Sequence, residues 1–251
     1  MQDRREQMAK YIAGNKQVTI LKLEELFPAV SEMTIRRDLE YLEKRGDIIR
    51  VKGGAKSVSL FMGMKEDAYS KREASHITEK EEIANKAFSM ITNERSIYLD
   101  PGTTAMALAK LLSAKNIFAV TSAPNIALEL MKNPLTIVNV VGGELNRENL
   151  SLSGQGALDF VDSINIEIVF AAASGFTEAT GFTCGSQQEC ILKQKVLKKA
   201  LKRVVLMDST KDGVNMPFTF ARPEDIDVFI SDSNLKKQTK KYFKDKGVKI
   251  L

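Results

Sequence analysis

Tryptophan is missing from the 251 residues of this chain, histidine occurs once, at His76, and cysteine twice, at Cys184 and Cys190. A structural zinc site draws on four Cys or His ligands at set spacings, and these residues do not supply them. No metal or other cofactor is therefore expected. Two cysteines do not make a disulfide framework, and in a reducing compartment both thiols stay free. Cys190, followed by Ile191 and Leu192, reads as part of a buried helix face. No apolar run approaches the roughly 20 residues of a membrane span, and the pattern of a secretory signal is absent from the start of the sequence. A cytoplasmic protein with no membrane partner is expected. Internal repeats and low-complexity stretches are absent too.

Charge of one sign is not in large excess. Lys and Arg number 37 against 32 Asp and Glu, a net +5 that permits one region to bind nucleic acid without arguing for it. Hydrophobic residues make up 43% and charged residues 27%, the balance of a globular protein. The length leaves room for one small and one larger domain.

The spacing of Met8, Tyr11 and Ile12 predicts a helix over Arg4–Ala13, with Gly14 and Asn15 as its stop. Ile20, Leu23, Leu26 and Phe27 form the apolar stripe of a second helix, broken by Pro28. A third follows over Ser31–Leu42, with Ser31 as N-cap and Ile35, Leu39 and Leu42 as the buried stripe. Thr34, Arg36, Arg37 and Glu40 are left exposed near its start. A helix that reads DNA packs one face on the preceding helix and offers its N-terminal residues to base edges. Arginine forks onto guanine or clamps a phosphate, and Ser31 and Thr34 can donate to phosphate oxygens. After Gly46, Asp47–Ala55 reads as a hairpin in which Arg50, Lys52, Gly53 and Gly54 let cations and backbone approach the phosphate chain. An arginine pair alone is most often a solvated helix face. Three helices, a short turn and a basic Gly-Gly wing, in this order within about 55 residues, point instead to a winged helix-turn-helix that contacts double-stranded DNA.

Periodicity fades from Ser57 to about Ser75, a connector that separates a first domain, 1–57, from a second, 76–251, with 58–75 between. Thr78-Glu79-Lys80-Glu81 has the form of a capping box, with Thr78 as N-cap, and opens a helix through Ile83, Ala84, Ala87 and Ile91. Strand-like runs follow at 96–100, 118–121, 136–141, 166–171, 204–208 and 228–231. Helical runs at 104–112, 125–131, 188–201 and 235–243 separate several of them. Short apolar strands alternating with helices imply an α/β fold, a largely parallel sheet covered on both faces.

Ligands of such sheets sit beyond the carboxyl ends of the strands. Asp100, Gly102, Thr103 and Thr104 stand at the first of these ends, where two hydroxyls and the free amides of a helix start suit an anion. Asp100 could accept bonds from sugar hydroxyls. Thr121 and Ser122, Gly142 and Gly143, the stretch through Gly175, and Lys211 stand at four others, and Lys211 brings a cation for a phosphate. The plainer reading makes Thr103 an N-cap, the glycines turns and Lys211 a solvated side chain. Their common placement at strand ends favours one pocket.

The segments Ser31–Leu39 and Arg50–Ala55 resemble the DNA-binding signature of DeoR-type bacterial transcription regulators. The turn Phe27–Ser31 is about one residue longer than the common pattern. Asp100–Thr104, Gly142-Gly143, Gly154, Gly181–Thr183, Asp208–Lys211 and Asp232 resemble the effector domain of the same family, so the likeness spans nearly the whole chain. Two departures are Ser122, where the family often has asparagine, and Glu167, where aspartate is frequent. Arg72 stands where the family often carries an arginine and could anchor the domains together. The resemblance implies an effector domain similar in fold to ribose-phosphate isomerases and glucosamine-phosphate deaminases. It also implies a repressor of a carbohydrate catabolic operon, released from operator DNA by a phosphorylated sugar or related metabolite. Two or more subunits are expected to read repeated half-sites, their placement changed through the connector.

An isomerase-like enzyme with an appended DNA-binding domain is the alternative. Proton abstraction beside a carbonyl needs a positioned base. Asp100, Glu144, Glu178 and Asp208 are candidates, none of them in a close acidic cluster with a partner lysine in one loop, so no catalytic residue is assigned and a sensor is expected. The basic run Lys236, Lys237, Lys240, Lys241, Lys244 and Lys246 raises non-specific nucleic-acid binding as a third class; its helical spacing with Leu235, Tyr242 and Phe243 reads as a solvated face.

Overall fold

The computed structural model describes residues 2–15, 17–45, 47–57 and 67–251. The chain divides into two compact units, Met1–Lys65 and Glu66–Leu251.

In the first unit α1 (Gln2–Asn15), α2 (Ile20–Leu26) and α3 (Glu32–Lys44) are followed by the hairpin of β2 (Ile48–Val51) and β3 (Gly54–Ser57). A three-residue strand missed in the sequence, β1 (Gln17–Thr19), pairs antiparallel with β3 and turns the wing into a three-stranded sheet. Met8, Ile12, Val18, Leu23, Ile35, Leu39, Leu42, Ile48 and Ala55 form its core. Two expectations need correcting. Helix α1 runs through Gly14 to Asn15, whose side-chain amide donates to the Tyr11 carbonyl at 2.9 Å. Leu26 lies off the buried stripe and is 40% exposed, because α2 buries only Leu23 fully.

The second unit is built on seven parallel strands. In chain order they are β4 (Ser96–Leu99), β5 (Phe118–Thr121), β6 (Ile137–Val140), β9 (Ile166–Ala172), β12 (Ala200–Leu206), β14 (Val228–Ile230) and β15 (Lys249–Ile250). Their spatial order is β15-β14-β12-β9-β4-β5-β6. Helices α5 (Ile77–Phe88), α6 (Thr103–Leu112) and α7 (Pro124–Leu130) bury Ile83, Leu108 and Ile126 in the core on one face. Helices α8 (Gln155–Asp162), α9 (Gln187–Lys199) and α10 (Lys237–Asp245) bury Val161, Val196 and Phe243 in the core on the other. That second core also takes in a small antiparallel sheet of β10 (Gly175–Thr177), β11 (Gly181–Cys184) and β13 (Phe218–Ala221). Phe176 and Phe182 from this sheet pack on Phe243, with ring centroids 4.7 and 5.5 Å away. A hairpin of β7 (Glu144–Asn146) and β8 (Ser151–Ser153) follows β6.

The expected capping box is not formed. Helix α5 starts at Ile77, one residue before Thr78, and its N-cap is His76, held in the left-handed region at φ 52 with no side-chain cap. Similarly, Thr103 is the first residue of α6 and Gly102 is its N-cap. Helix α9 stops at Lys199 rather than Leu201, because Ala200 is already extended and begins β12. Leu235 is buried ahead of α10 instead of opening it. Within the expected connector, residues 58–66 lie outside the described residues. The rest carries a short helix, α4 (Tyr69–Glu73), whose Tyr69 amide donates to the Glu148 carbonyl at 3.0 Å. Among the described residues no helix is long and apolar enough to cross a membrane.

Candidate functional site

Helix α3 is capped by Ser31, whose hydroxyl accepts from the Thr34 amide at 3.4 Å and lies 3.1 Å from the Thr34 hydroxyl. Its buried stripe contains a charge. Asp38 is 1% exposed and receives Arg4 at 2.6 Å and Arg5 at 2.7 Å, both from α1. Burying a carboxylate costs free energy unless it is paired, so this pairing fixes α1 against α3 and sets which face α3 leaves open. On that open face Arg36 is ion-paired with Glu32 at 2.5 Å, whereas Arg37 is exposed and its guanidinium has no partner among the described residues. In the wing, Arg50 is held by Glu43 at 2.6 Å. Its amide, donating to the same carboxylate, and its guanidinium together keep the Glu43 pKa below the usual range. Lys52, exposed at the hairpin turn, has no such partner. Gly53 takes φ +83 at that turn, and Gly54 lies so close to the Val18 backbone of β1 that a Cβ would collide with it. The two glycines are thus required by the turn and by sheet packing.

Four of the effector candidates, Gly102, Thr103, Thr104 and Lys211, meet where the sheet order reverses. From β4 the chain moves outward to β5 and β6, then returns to the other flank with β9 and moves away through β12, β14 and β15. That reversal leaves a crevice beyond the carboxyl ends of β4 and β9. A narrow cleft lies there, lined among others by Gly102, Thr103, Thr104, Arg72, Asn149 and Lys211. Gly102 has φ +137, and a Cβ would come within 3.2 Å of the Ala172 Cβ; only glycine brings the chain this close. No side chain caps α6. The hydroxyls of Thr103 and Thr104, residues 6% and 2% exposed, have no hydrogen-bond partner among the described residues. Free amides and hydroxyls at a helix start favour an anion.

Cations surround this helix start. Lys211 is 3.3 Å from Asp208. Burial works to raise the Asp208 pKa, but Lys211 and the Thr210 hydroxyl outweigh it and hold the carboxyl below its usual value. Lys80 donates to the Arg72 and Ser75 carbonyls, and burial, followed by the nearby Lys211 charge, lowers its pKa. The Coulombic part of that lowering, from Lys211, is one that a nearby anion would offset.

Asp100 does not face the cleft. Its carboxylate accepts from the Ala172 amide at 2.8 Å and is ion-paired with Lys193 of α9. Lys193 in turn lies 3.1 Å from Glu189 and donates to the Ala172 carbonyl at 2.9 Å. Burial alone would lower the Lys193 pKa; Asp100 and Glu189 overcome this and hold the ammonium above the ordinary lysine value. Glu189 also accepts from Asn149 at 2.6 Å. Thr121, Ser122, Gly142, Gly143 and Gly175 fall outside the cleft as well. The Thr121 hydroxyl accepts from the Ala123 amide, and that of Ser122 from Tyr98 at 2.7 Å. Gly142 stands in the exposed loop after β6. Gly143 and Gly175 lie against the backbone of Ser153 and Val214, where a Cβ would clash.

Two family models match this chain: the DeoR-like helix-turn-helix domain over residues 4–60 and the DeoR C-terminal sensor domain over residues 75–233. The chain belongs to the DeoR family. The HTH-type transcriptional regulator GolR of Listeria innocua is 33% identical to it over 99% of this chain and 97% of its own length. The lactose phosphotransferase system repressor of Staphylococcus epidermidis is 28% identical over 82% of both chains. Ribose 5-phosphate isomerase A of Methanocaldococcus jannaschii shares 18% identity and a TM-score of 0.40 over 53% of either chain. As a DeoR-family member the protein is a DNA-binding transcription regulator, with α3 and its wing in the helix-turn-helix domain and the cleft in the sensor domain.

Several residues that shape these DeoR-family sites were not singled out in the sequence. Asp38 had a readable signal, since it falls on the stripe of Ile35, Leu39 and Leu42, and a carboxylate there demands a cation. Arg72 was noticed, but only as an anchor between domains; it lines the cleft. Asn149, Glu189 and Lys193 gave no local signal. Lys193 meets Asp100 across 93 residues of sequence.

Proposed function

We propose that this DeoR-family regulator is a cytoplasmic repressor of a carbohydrate catabolic operon, binding double-stranded operator DNA as a homo-oligomer and released by a phosphorylated sugar or related metabolite. Arg37 and Lys52 make the direct DNA contacts with their free charges. Arg36 and Arg50 join them by exchanging Glu32 and Glu43 for phosphates, and Ser31, Thr34, Gly53 and Gly54 shape the surface that approaches the duplex. The phosphate of the effector sits at the start of α6, on the amides and hydroxyls of Thr103 and Thr104, between Arg72 and Lys211. Asp100 acts from behind, holding Lys193 and the end of β9.

One observation carries this reading: the hydroxyls of two nearly buried threonines, without hydrogen-bond partners among the described residues, stand at an uncapped helix start with two cations lining the same cleft. The staphylococcal lactose phosphotransferase repressor, similar over most of its length, supports the choice of repression and of a sugar. Sensing needs only different affinity for two states of the protein, not turnover. Release of a fluorescent operator duplex should be followed while hexose and pentose phosphates are titrated. The expected result is that one of them releases wild-type protein, while Lys211→Gln binds the duplex as before and needs at least about tenfold more ligand, the loss of one charge-assisted contact. A normal induction curve for Lys211→Gln would remove the cleft from the mechanism.

A further inference from the structure

A second groove lies at the far edge of the parallel sheet, walled by α5 and α10 and by the ends of β14 and β15, and encloses about 810 Å³. That volume is in the range of small-molecule sites. It shares no lining residue with the cleft at Gly102. Leu235, Val248 and Ile250 give it an apolar wall, and Lys241, Lys244 and Lys249 line its remainder. None of these three ammonium groups has an ion pair or hydrogen bond among the described residues. Lys241 and Lys244 are three residues apart on one helix, so their charges are neighbours and repel.

The two carboxylate side chains of the groove are already committed. Glu82 receives Lys86 at 2.8 Å and the Ser233 amide at 3.1 Å. Asp232 accepts from the Ser209 amide at 2.6 Å and the Ser209 hydroxyl at 2.8 Å. Positive charge is therefore left uncompensated. The wall also includes Ser231, 1% exposed, whose hydroxyl is buried with no hydrogen-bond partner. An unmet buried hydroxyl is costly to leave in place.

We propose that this groove is a second ligand site, for a phosphate ester with an apolar or aromatic body. The phosphate pairs with Lys241, Lys244 and Lys249, the Ser231 hydroxyl donates to an ester or phosphate oxygen, and the body of the ligand covers Leu235, Val248 and Ile250. A nucleic-acid backbone fits these observations less well. It would use the lysines but would reach neither the buried hydroxyl nor the apolar wall.

Phenyl phosphate is a suitable probe, titrated calorimetrically into the whole Lys211→Gln chain so that the first cleft is weakened at least about tenfold. Saturable binding is expected, stronger than that of inorganic phosphate. It should weaken at least about tenfold when Lys241→Gln and Lys244→Gln are added, and severalfold with Ser231→Ala, in proteins whose urea midpoints match the parent. No saturation, or equal affinity with and without the two lysines, would overturn the proposal. So would unchanged phenyl phosphate binding combined with a loss of affinity for duplexes of any sequence, which would assign the lysines to DNA.

Discussion

Single side chains in this protein differ in whether their charge is already paired, and that separates those that can contact DNA directly from those that must first give up a partner or that hold the framework. Arg4 and Arg5 are spent on Asp38, Arg36 on Glu32 and Arg50 on Glu43. Arg37 is not. Arg37→Ala should therefore cost roughly 1–3 kcal/mol in operator binding and relax discrimination at one base position, with little change in fold stability. Operator titrations against single-base variants check this; an unaltered titration would take Arg37 off the reading face. Lys193 is the opposite case, a charge consumed within the protein. Lys193→Met leaves Asp100 and Glu189 buried without their cation and should cost about 3–5 kcal/mol of stability in urea denaturation. Because the Lys193 pKa is raised on folding, this contribution is complete below the unfolded lysine value and is lost only as pH rises through the folded one. The wild-type ammonium should accordingly keep its full contribution from pH 6 to 9, below the ordinary lysine pKa of about 10.4. A loss under about 1 kcal/mol would mean that the triad does not hold this region together. Arg37 was legible from helical spacing alone. Lys193 was not, because local pattern carries no information about a partner on another strand.

Among the elements, those with a clear period or adjacent apolar residues were readable, down to the three residues of β14, and short strands without either were not. The stripe of Ile35, Leu39 and Leu42 located α3, and the run Ile166–Ala171 located β9, because burial on one or both faces repeats over several residues. Strands such as β1, β7, β8, β10 and β11, of three or four residues, carry too little pattern, and two of them, β10 and β11, begin at glycine. Helix α8 was hidden behind Gly154 and Gly156. The start of α5 was misplaced because left-handed His76 redirects the chain just where Thr78 offers a familiar cap. The cleft was readable as a set of strand ends; which of them converge depended on the strand order, and that rests on long-range pairing. The turn Ser209–Lys211 shows how such an end is fixed. Asp208 accepts from the Thr210 amide at 3.2 Å, and Asp232 holds Ser209 from the neighbouring strand end. Folding lowers the Asp208 pKa, so its contribution is present above the ordinary value of 3.8 and fades as pH falls through the folded value. Thermal unfolding of wild type and Asp208→Asn should converge as pH drops below that point and separate towards neutrality. Parallel curves across the whole range would show that the ionised carboxylate does not anchor the turn.

For the molecule as a whole the question is how one small reading unit becomes specific. Residues 1–57 carry twelve Lys and Arg against nine Asp and Glu, and several of those cations are paired internally. One copy thus offers few free charges to a duplex, and a single recognition helix covers only a short run of bases. The homo-oligomer proposed above would supply specificity, because the second half-site is bound at the high local concentration created by the first. A duplex with two half-sites should bind at least about tenfold tighter than one in which a half-site has been scrambled, the low end of what linked binding provides. Both affinities should fall with salt, the intact site more steeply because more phosphates are contacted. Anisotropy titrations at two salt concentrations, with sedimentation to give the stoichiometry of the complex, test this directly. Equal affinity and equal salt dependence for the two duplexes would mean that a single copy does the reading, and the free charges of Arg37 and Lys52 would then have to account for all of it.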